Sequence, residues 1–127
     1  MILYFDGGCR PNPGKMEVAV VSEKNDIRLH DFVGYGTNNE AEWIGLLWAV
    51  GIALENGAQE VNIFGDSSLV VNQANGLWKV KNESLRKYHS EFLIMKDGIK
   101  SLNLSYVPRN MNLAGNFIEM KQRGLFL

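Results

Sequence analysis

The segment from Thr37 to Glu55 limits the possible folds more than any other. Thr37-Asn38-Asn39-Glu40 has the form of a capping box, a threonine followed three residues on by a glutamate. The spacing predicts a helix from there to about Glu55, stopped by Asn56-Gly57. Ala41, Ile44, Leu47, Trp48, Ala49, Ile52 and Ala53 leave it few polar positions. A helix apolar over so much of its circumference must be largely buried, and a sheet is the expected cover.

Short strands on both sides supply that sheet. Residues 1–5 are an apolar run closed by Asp6-Gly7-Gly8, which predicts a buried strand and a turn. Arg10-Pro11-Asn12-Pro13-Gly14 is a loop, residues 16–22 a Val-rich strand, Lys24-Asn25-Asp26 a hairpin tip and residues 27–35 a third strand. Beyond the long helix come a strand over 60–65, a short helix over 67–74 and an amphipathic helix over 83–96, with Leu85, Tyr88, Phe92 and Met95 on its buried face. A fifth strand over 102–107 and a final helix over 113–123, capped by Gly124, complete the order βββαβααβα. This order predicts an α/β fold: a mixed five-stranded sheet, its first three strands antiparallel, flanked by helices.

At 127 residues the chain is one domain's worth, 1–127, with no internal repeat or linker. Its 46% hydrophobic content and net charge of −1 exclude whole-chain disorder and a non-specific basic nucleic-acid coat protein. The lone Cys9 cannot form an intrachain disulfide, and no Cys/His spacing suggests a metal site. The longest uncharged stretches, 43–54 and 67–78, are too short to span a bilayer, and the start of the chain lacks a targeting pattern. A cytoplasmic location is the expectation, with no membrane partner.

Three acids stand at conspicuous places. Asp6 closes the first strand, Asp66 the fourth, and Glu42 lies in the first turns of the long helix. If the first and fourth strands are parallel neighbours, both aspartates emerge at one sheet edge, and a helix starting there adds Glu42. Carboxylates gathered so closely repel one another unless a cation joins them, and such hard oxygen ligands suit Mg²⁺ or Mn²⁺. Each acid also has a structural reading: Asp66 as a helix cap before Ser67-Ser68, Asp6 as part of a turn, Glu42 as a solvated helix residue. Spacing alone leaves both readings open. Gly8 to Lys15 only superficially suggests a nucleotide phosphate loop, because its first glycine is misplaced and Met16 stands where Ser or Thr is needed.

Four segments then resemble the type 1 ribonuclease H family, in the family's order and over nearly the whole chain. They are residues 4–14 (YFDGGCRPNPG), 37–42 (TNNEAE), 65–67 (GDS) and 78–83 (WKVKNE). The resemblance implies the fold reached above and cleavage of the RNA strand of RNA/DNA hybrids by two divalent ions, leaving 3′-hydroxyl and 5′-phosphate ends. Asp6, Glu42 and Asp66 match three of the family's four metal-binding acids. The fourth normally closes an Asn-x-x-Ala-Asp pattern, which here reads Asn112-Leu113-Ala114-Gly115-Asn116. Gly115 thus replaces the alanine and Asn116 the aspartate. An asparagine oxygen can still ligate a metal but brings no charge. Lower metal affinity and a preference for Mn²⁺ over Mg²⁺ are expected. Asn116 is compatible with an active natural variant, which is the reading taken here, with an engineered change, or with a hybrid-binding module that no longer cuts. The mobile histidine that many relatives carry before the last helix has no counterpart in Pro108-Arg109-Asn110-Met111.

The resemblance also assigns a substrate surface. Cys9, Asn12, Asn38 and Asn39 match positions that touch the minor groove, where amide side chains suit a 2′-hydroxyl. Read as residues alone, Asn12 equally belongs to a turn and Asn38-Asn39 to a helix start. Thr37 and Asn82 match a grip on a DNA-strand phosphate, with Tyr35 where a basic partner is often found. Trp78 matches an aromatic channel for DNA sugars; its structural alternative is a core tryptophan under a loop. Lys79, Lys81, Arg86 and Lys87 form the most basic stretch, either a solvated face or the side turned to phosphates. An RNA/DNA hybrid is the expected partner, with no obligate protein partner and a monomeric state.

Overall fold

A computed structural model describes residues 1–124. The last three residues, which the single-domain reading includes, lie outside the described residues. Strands β1 (Ile2–Cys9), β2 (Gly14–Ser22) and β3 (Arg28–Gly36) form an antiparallel meander. Helix α1 (Asn38–Glu55) follows, then β4 (Glu60–Gly65), α2 (Ser68–Ala74), α3 (Glu83–Lys96), β5 (Ser101–Tyr106), one 3-10 turn (Arg109–Met111) and α4 (Leu113–Gln122). The sheet order is β3-β2-β1-β4-β5, and β4 runs parallel to both β1 and β5. The mixed five-stranded sheet expected from the element order is therefore the one that forms.

One boundary differs in a way that matters for the site. The sequence ends β1 at Phe5, with a turn at Asp6-Gly7-Gly8. Instead β1 continues to Cys9, because Gly7, Gly8 and Cys9 still pair with Val18, Glu17 and Met16 of β2. Gly7 serves close approach to α1 rather than a turn. β2 accordingly starts at Gly14 rather than residue 16.

The sheet separates two apolar layers. On one face Leu3, Phe5, Val20, Val61 and Ile63 meet α1 and α2, and α3 packs outside α1 through Leu85 and Phe92. On the other face Tyr4, Ala19 and Val21 meet Ala114, Phe117 and Ile118 of α4. Alternation along the strands produces this split, since neighbouring side chains point to opposite faces. Trp43 is fully buried, and its indole N–H donates to the Gln73 side-chain oxygen at 3.0 Å, which ties α1 to α2. Such a partner is what a buried indole requires.

Thr37 caps α1 as expected, its hydroxyl oxygen accepting the Glu40 N–H at 3.2 Å. Glu40 also accepts the Tyr88 hydroxyl at 3.0 Å and so joins the start of α1 to α3. Burial, then this bond to Glu40, pushes the Tyr88 pKa up to about 12. Gly124 takes φ +69° just past α4, the left-handed conformation expected of a helix stop. Among the described residues no helix is long and apolar enough to cross a membrane.

Candidate active site

Parallel pairing sets the height of two acids. Tyr4 is level with Phe64 across β1 and β4, so Asp6, inside β1, and Asp66, just past the end of β4, come two residues later at the same height. Glu42 reaches them because β1 and α1 nearly touch. A side chain on Gly7 would collide with the Ala41 carbonyl, and a Cβ on Gly45 would lie 2.9 Å from the Asp6 carbonyl oxygen. Across this contact the Gly7 N–H donates to Glu42 Oε1 at 2.5 Å. One carboxylate oxygen from each of Asp6, Glu42 and Asp66 lies within 4.8 Å of the other two. Asp6 and Glu42 are buried and Asp66 is half-buried.

Such crowding alters their acidity. Burial pushes Glu42 well above the usual carboxylate range, and the charge of Asp6 pushes it further. Burial also raises Asp6, against the opposing pull of Glu42 and Arg109. Without a cation, Glu42 and Asp6 therefore hold a proton more readily than free carboxylates do. Three hard oxygen donors, two of them buried, on one side of an open cavity of about 430 Å³ fit a divalent cation, which would relieve their repulsion.

Two residues that the sequence reading left without a role hold the cluster together. Arg109, from the 3-10 turn, donates from Nη1 to Asp6 at 2.7 Å and reaches Asp66 at 3.5 Å. Burial alone would lower the Arg109 pKa, but the charge of Asp6 and the bond to it, then Asp66 and Glu119, carry it upward. Asn112 is fully buried. Its Nδ2 donates to the Phe5 carbonyl at 2.9 Å and to Asp66 Oδ1 at 2.6 Å. Its Oδ1 accepts the Ala114 and Gly115 N–H groups and caps α4. A capping signal was available for Asn112, an asparagine directly before an apolar helical run. None was available for Arg109, because its reach depends on the path of the chain after β5.

Asn116 is placed differently from the three acids. It sits exposed in the first turn of α4, its backbone N–H donating to the Asn112 carbonyl at 3.0 Å. It is not among the residues lining the acid cavity, whereas Asn38, Asn39 and Arg109 are.

The residues expected to meet substrate fall into two groups. Near the acids, Asn12 Oδ1 accepts the Asn38 N–H at 3.1 Å, and Asn38 Oδ1 accepts the Cys9 N–H at 2.8 Å. The first loop is thereby locked to the start of α1. Both amides use their oxygens in this lock, while the side chains themselves are exposed. Cys9 is buried and joins the lock through its backbone N–H and through its thiol, which lies 3.5 Å from both Asn12 Oδ1 and Asn38 Oδ1. Thr37 stands half-buried at the same helix end.

Farther off, Trp78 is 50% exposed, which excludes the core reading. It borders a second cavity, of about 680 Å³, with Leu77, Lys79, Arg86 and His89. Asn82 caps α3, its Oδ1 accepting the Ser84 N–H at 2.9 Å. Tyr35, at 81% exposure, is free of packing that would hold it over a phosphate. Of the two histidines, His89 stacks edge-on against Trp43 and His30 contacts Glu17 at 3.2 Å.

Sheet order and acid cluster together describe an α/β protein with a candidate metal site beside β1 and β4, and comparison with known proteins narrows the class. A family model described as reverse transcriptase-like matches residues 4–116. A bifunctional protein of Mycobacterium tuberculosis is 33% identical over 117 residues, 88% of this chain and 32% of that protein. Ribonuclease HI of Halobacterium salinarum is 33% identical over 113 residues, 86% of this chain and 57% of that protein. The chain therefore spans about a third to a little over half of these relatives' lengths. The solved RNase H1 of Halobacterium salinarum superposes with TM-score 0.85 at 29% identity, covering 97% of each chain. LC11-RNase H1, solved in complex with an RNA/DNA hybrid, superposes with TM-score 0.84 at 29% identity, covering 98% of this chain and 99% of that one. The chain belongs to the reverse transcriptase-like family, within its ribonuclease H branch.

Proposed function

We propose that this protein is a metal-dependent ribonuclease H that hydrolyses the RNA strand of RNA/DNA hybrids, leaving 3′-hydroxyl and 5′-phosphate ends. The observation that carries the reading is the convergence of Asp6, Glu42 and Asp66 on one open cavity. The likeness to LC11-RNase H1 with its bound hybrid supports the substrate class. Asp6, Glu42 and Asp66, with Asn116 from α4, are the residues that would hold two ions of Mg²⁺ or Mn²⁺. When bound, such ions activate water and stabilise the leaving 3′ oxygen.

The remaining work falls to the chain's own groups. Asn112 fixes the Asp66 carboxylate through its short bond to Oδ1. Asn38 and Asn39 border the cavity, where their amide groups suit the 2′-hydroxyls that mark the RNA strand. The lock between Asn12, Asn38 and Cys9 holds that edge in place before substrate arrives. Thr37, Asn82 and exposed Trp78 receive the DNA strand, phosphate at the first two and sugar at the third. We read the protein as a cytoplasmic monomer.

The test is cleavage of a 5′-labelled RNA/DNA hybrid across Mg²⁺ and Mn²⁺ concentrations, beside duplex DNA and duplex RNA. Metal-dependent cutting of the hybrid alone is expected, with Mn²⁺ more effective than Mg²⁺. An intact hybrid at every metal concentration would refute the enzyme reading. A second reading, a module that binds hybrids without cutting them, draws on Asn116, which brings no charge where the pattern has aspartate. Asn116→Asp decides between the two. A modest gain over an already active protein fits the enzyme, and cleavage appearing only in the variant fits the disarmed module.

A further inference from the structure

Arg109 is an unusual neighbour for a cluster that should attract metal ions. Its guanidinium stands 2.7 Å from Asp6 and 3.5 Å from Asp66, where it compensates the two carboxylates in the way a bound cation would. The pose depends on a missing side chain. A Cβ on Gly115 would lie 2.7 Å from Arg109 Nη1 and 2.9 Å from its Cζ. The guanidinium is the movable partner in that contact, since Gly115 lies within α4 and Arg109 ends a long flexible side chain. With alanine at 115, the position's residue in the resembled pattern, the guanidinium would have to move.

The arginine also has somewhere to go. Its side chain is 48% exposed, and Nη2 already lies 4.0 Å from the half-exposed Glu119 one turn further along α4. An outward swing would exchange Asp6 for Glu119 without leaving the guanidinium unpaired. Arg10, Glu119, Gln122 and Arg123 border the neighbouring cavity of about 320 Å³, where Glu119 is the acid that would receive it.

We infer that Arg109 is a built-in counter-cation that a divalent ion must displace from Asp6 and Asp66, and that Gly115 is the residue that admits it. The inference rests on the metal reading of the acid cluster. Arg109 and Gly115 together set the metal concentration at which the site fills. This effect is separate from the missing charge at Asn116, although both act in the same direction.

Calorimetric titration with Mn²⁺ alone, without nucleic acid, tests the inference on four proteins: wild type, Arg109→Ala, Gly115→Ala and Glu42→Gln. Melting temperatures with and without Mn²⁺ accompany each titration. Arg109→Ala is expected to bind Mn²⁺ about threefold more tightly or better, as loss of a half-exposed competing charge implies. Its melting temperature in chelator is expected to fall, because the acids are then uncompensated. Gly115→Ala should also tighten binding, without that loss in chelator, since alanine is the better helix former. Glu42→Gln should weaken it. Arg109→Ala binding Mn²⁺ no more tightly than wild type would overturn the counter-cation role while the metal site stands. Unchanged affinity in Gly115→Ala would overturn the role of Gly115. No Mn²⁺ binding in any of the four would overturn the metal reading and this inference with it.

Discussion

Asn112 connects three parts of the molecule through one amide. It caps α4 through Oδ1 and holds both the Phe5 carbonyl and Asp66 through Nδ2. Replacing it with alanine removes a cap, worth about 1 kcal/mol, and leaves the buried Phe5 carbonyl without that donor, which costs about another 1–3 kcal/mol. Asn112→Ala is therefore expected to lose at least about 2 kcal/mol in urea unfolding and to bind Mn²⁺ more weakly, because Asp66 is released. An unfolding midpoint equal to wild type would show that the amide is dispensable. The three acids were legible in the sequence because each stands at a predicted element end, where position along the chain translates into position in space. Asn112 and Arg109 were not read as parts of the site. Their contacts reach back 46 and 103 residues respectively, to Asp66 and Asp6, and no local pattern encodes such a reach.

At the scale of elements, the turn from α2 into α3 carries the second cavity. Gly76, at φ +77°, closes α2, and the chain then passes through Leu77 and Trp78 before Asn82 caps α3. The boundaries of α3 were legible in full, since Asn82 and the spacing of Leu85 and Phe92 mark start and face. The exposure of Trp78 was not legible, because a large aromatic beside a loop suits a core or a surface equally well. Its position outside the core means that Trp78→Ala should leave the unfolding midpoint near wild type. If the ring receives nucleic acid, the same change should weaken hybrid binding by about 1–3 kcal/mol, the usual cost of losing an aromatic platform. Fluorescence anisotropy with a labelled hybrid in Ca²⁺ measures this. Full-strength binding by the variant would remove Trp78 from the substrate surface.

At the scale of the whole molecule, the element order and the mixed sheet followed from periodicity and punctuation, since hairpins come first and helical crossovers later. The continuation of β1 through Asp6, Gly7 and Gly8 did not, because a glycine pair suggests a turn until the helix pressed against it is known. That close packing joins the site to global stability. Glu42 and Asp6 are raised by burial above their unfolded values, so the folded protein binds protons more tightly than the unfolded chain does at these groups. The stability they contribute is fully present below the unfolded carboxylate range and is lost as pH rises through their folded pKa values. In chelator, the melting temperature of Glu42→Gln relative to wild type should therefore increase as pH rises from the unfolded carboxylate range to mildly alkaline values. The amide keeps an oxygen for the Gly7 N–H and carries no charge to bury. Mn²⁺ should reverse the order at the upper end, because it stabilises the deprotonated cluster of the wild type and finds one carboxylate fewer in the variant. Parallel melting curves for the two proteins across that range would mean that Glu42 is not the group whose burial limits the metal-free fold.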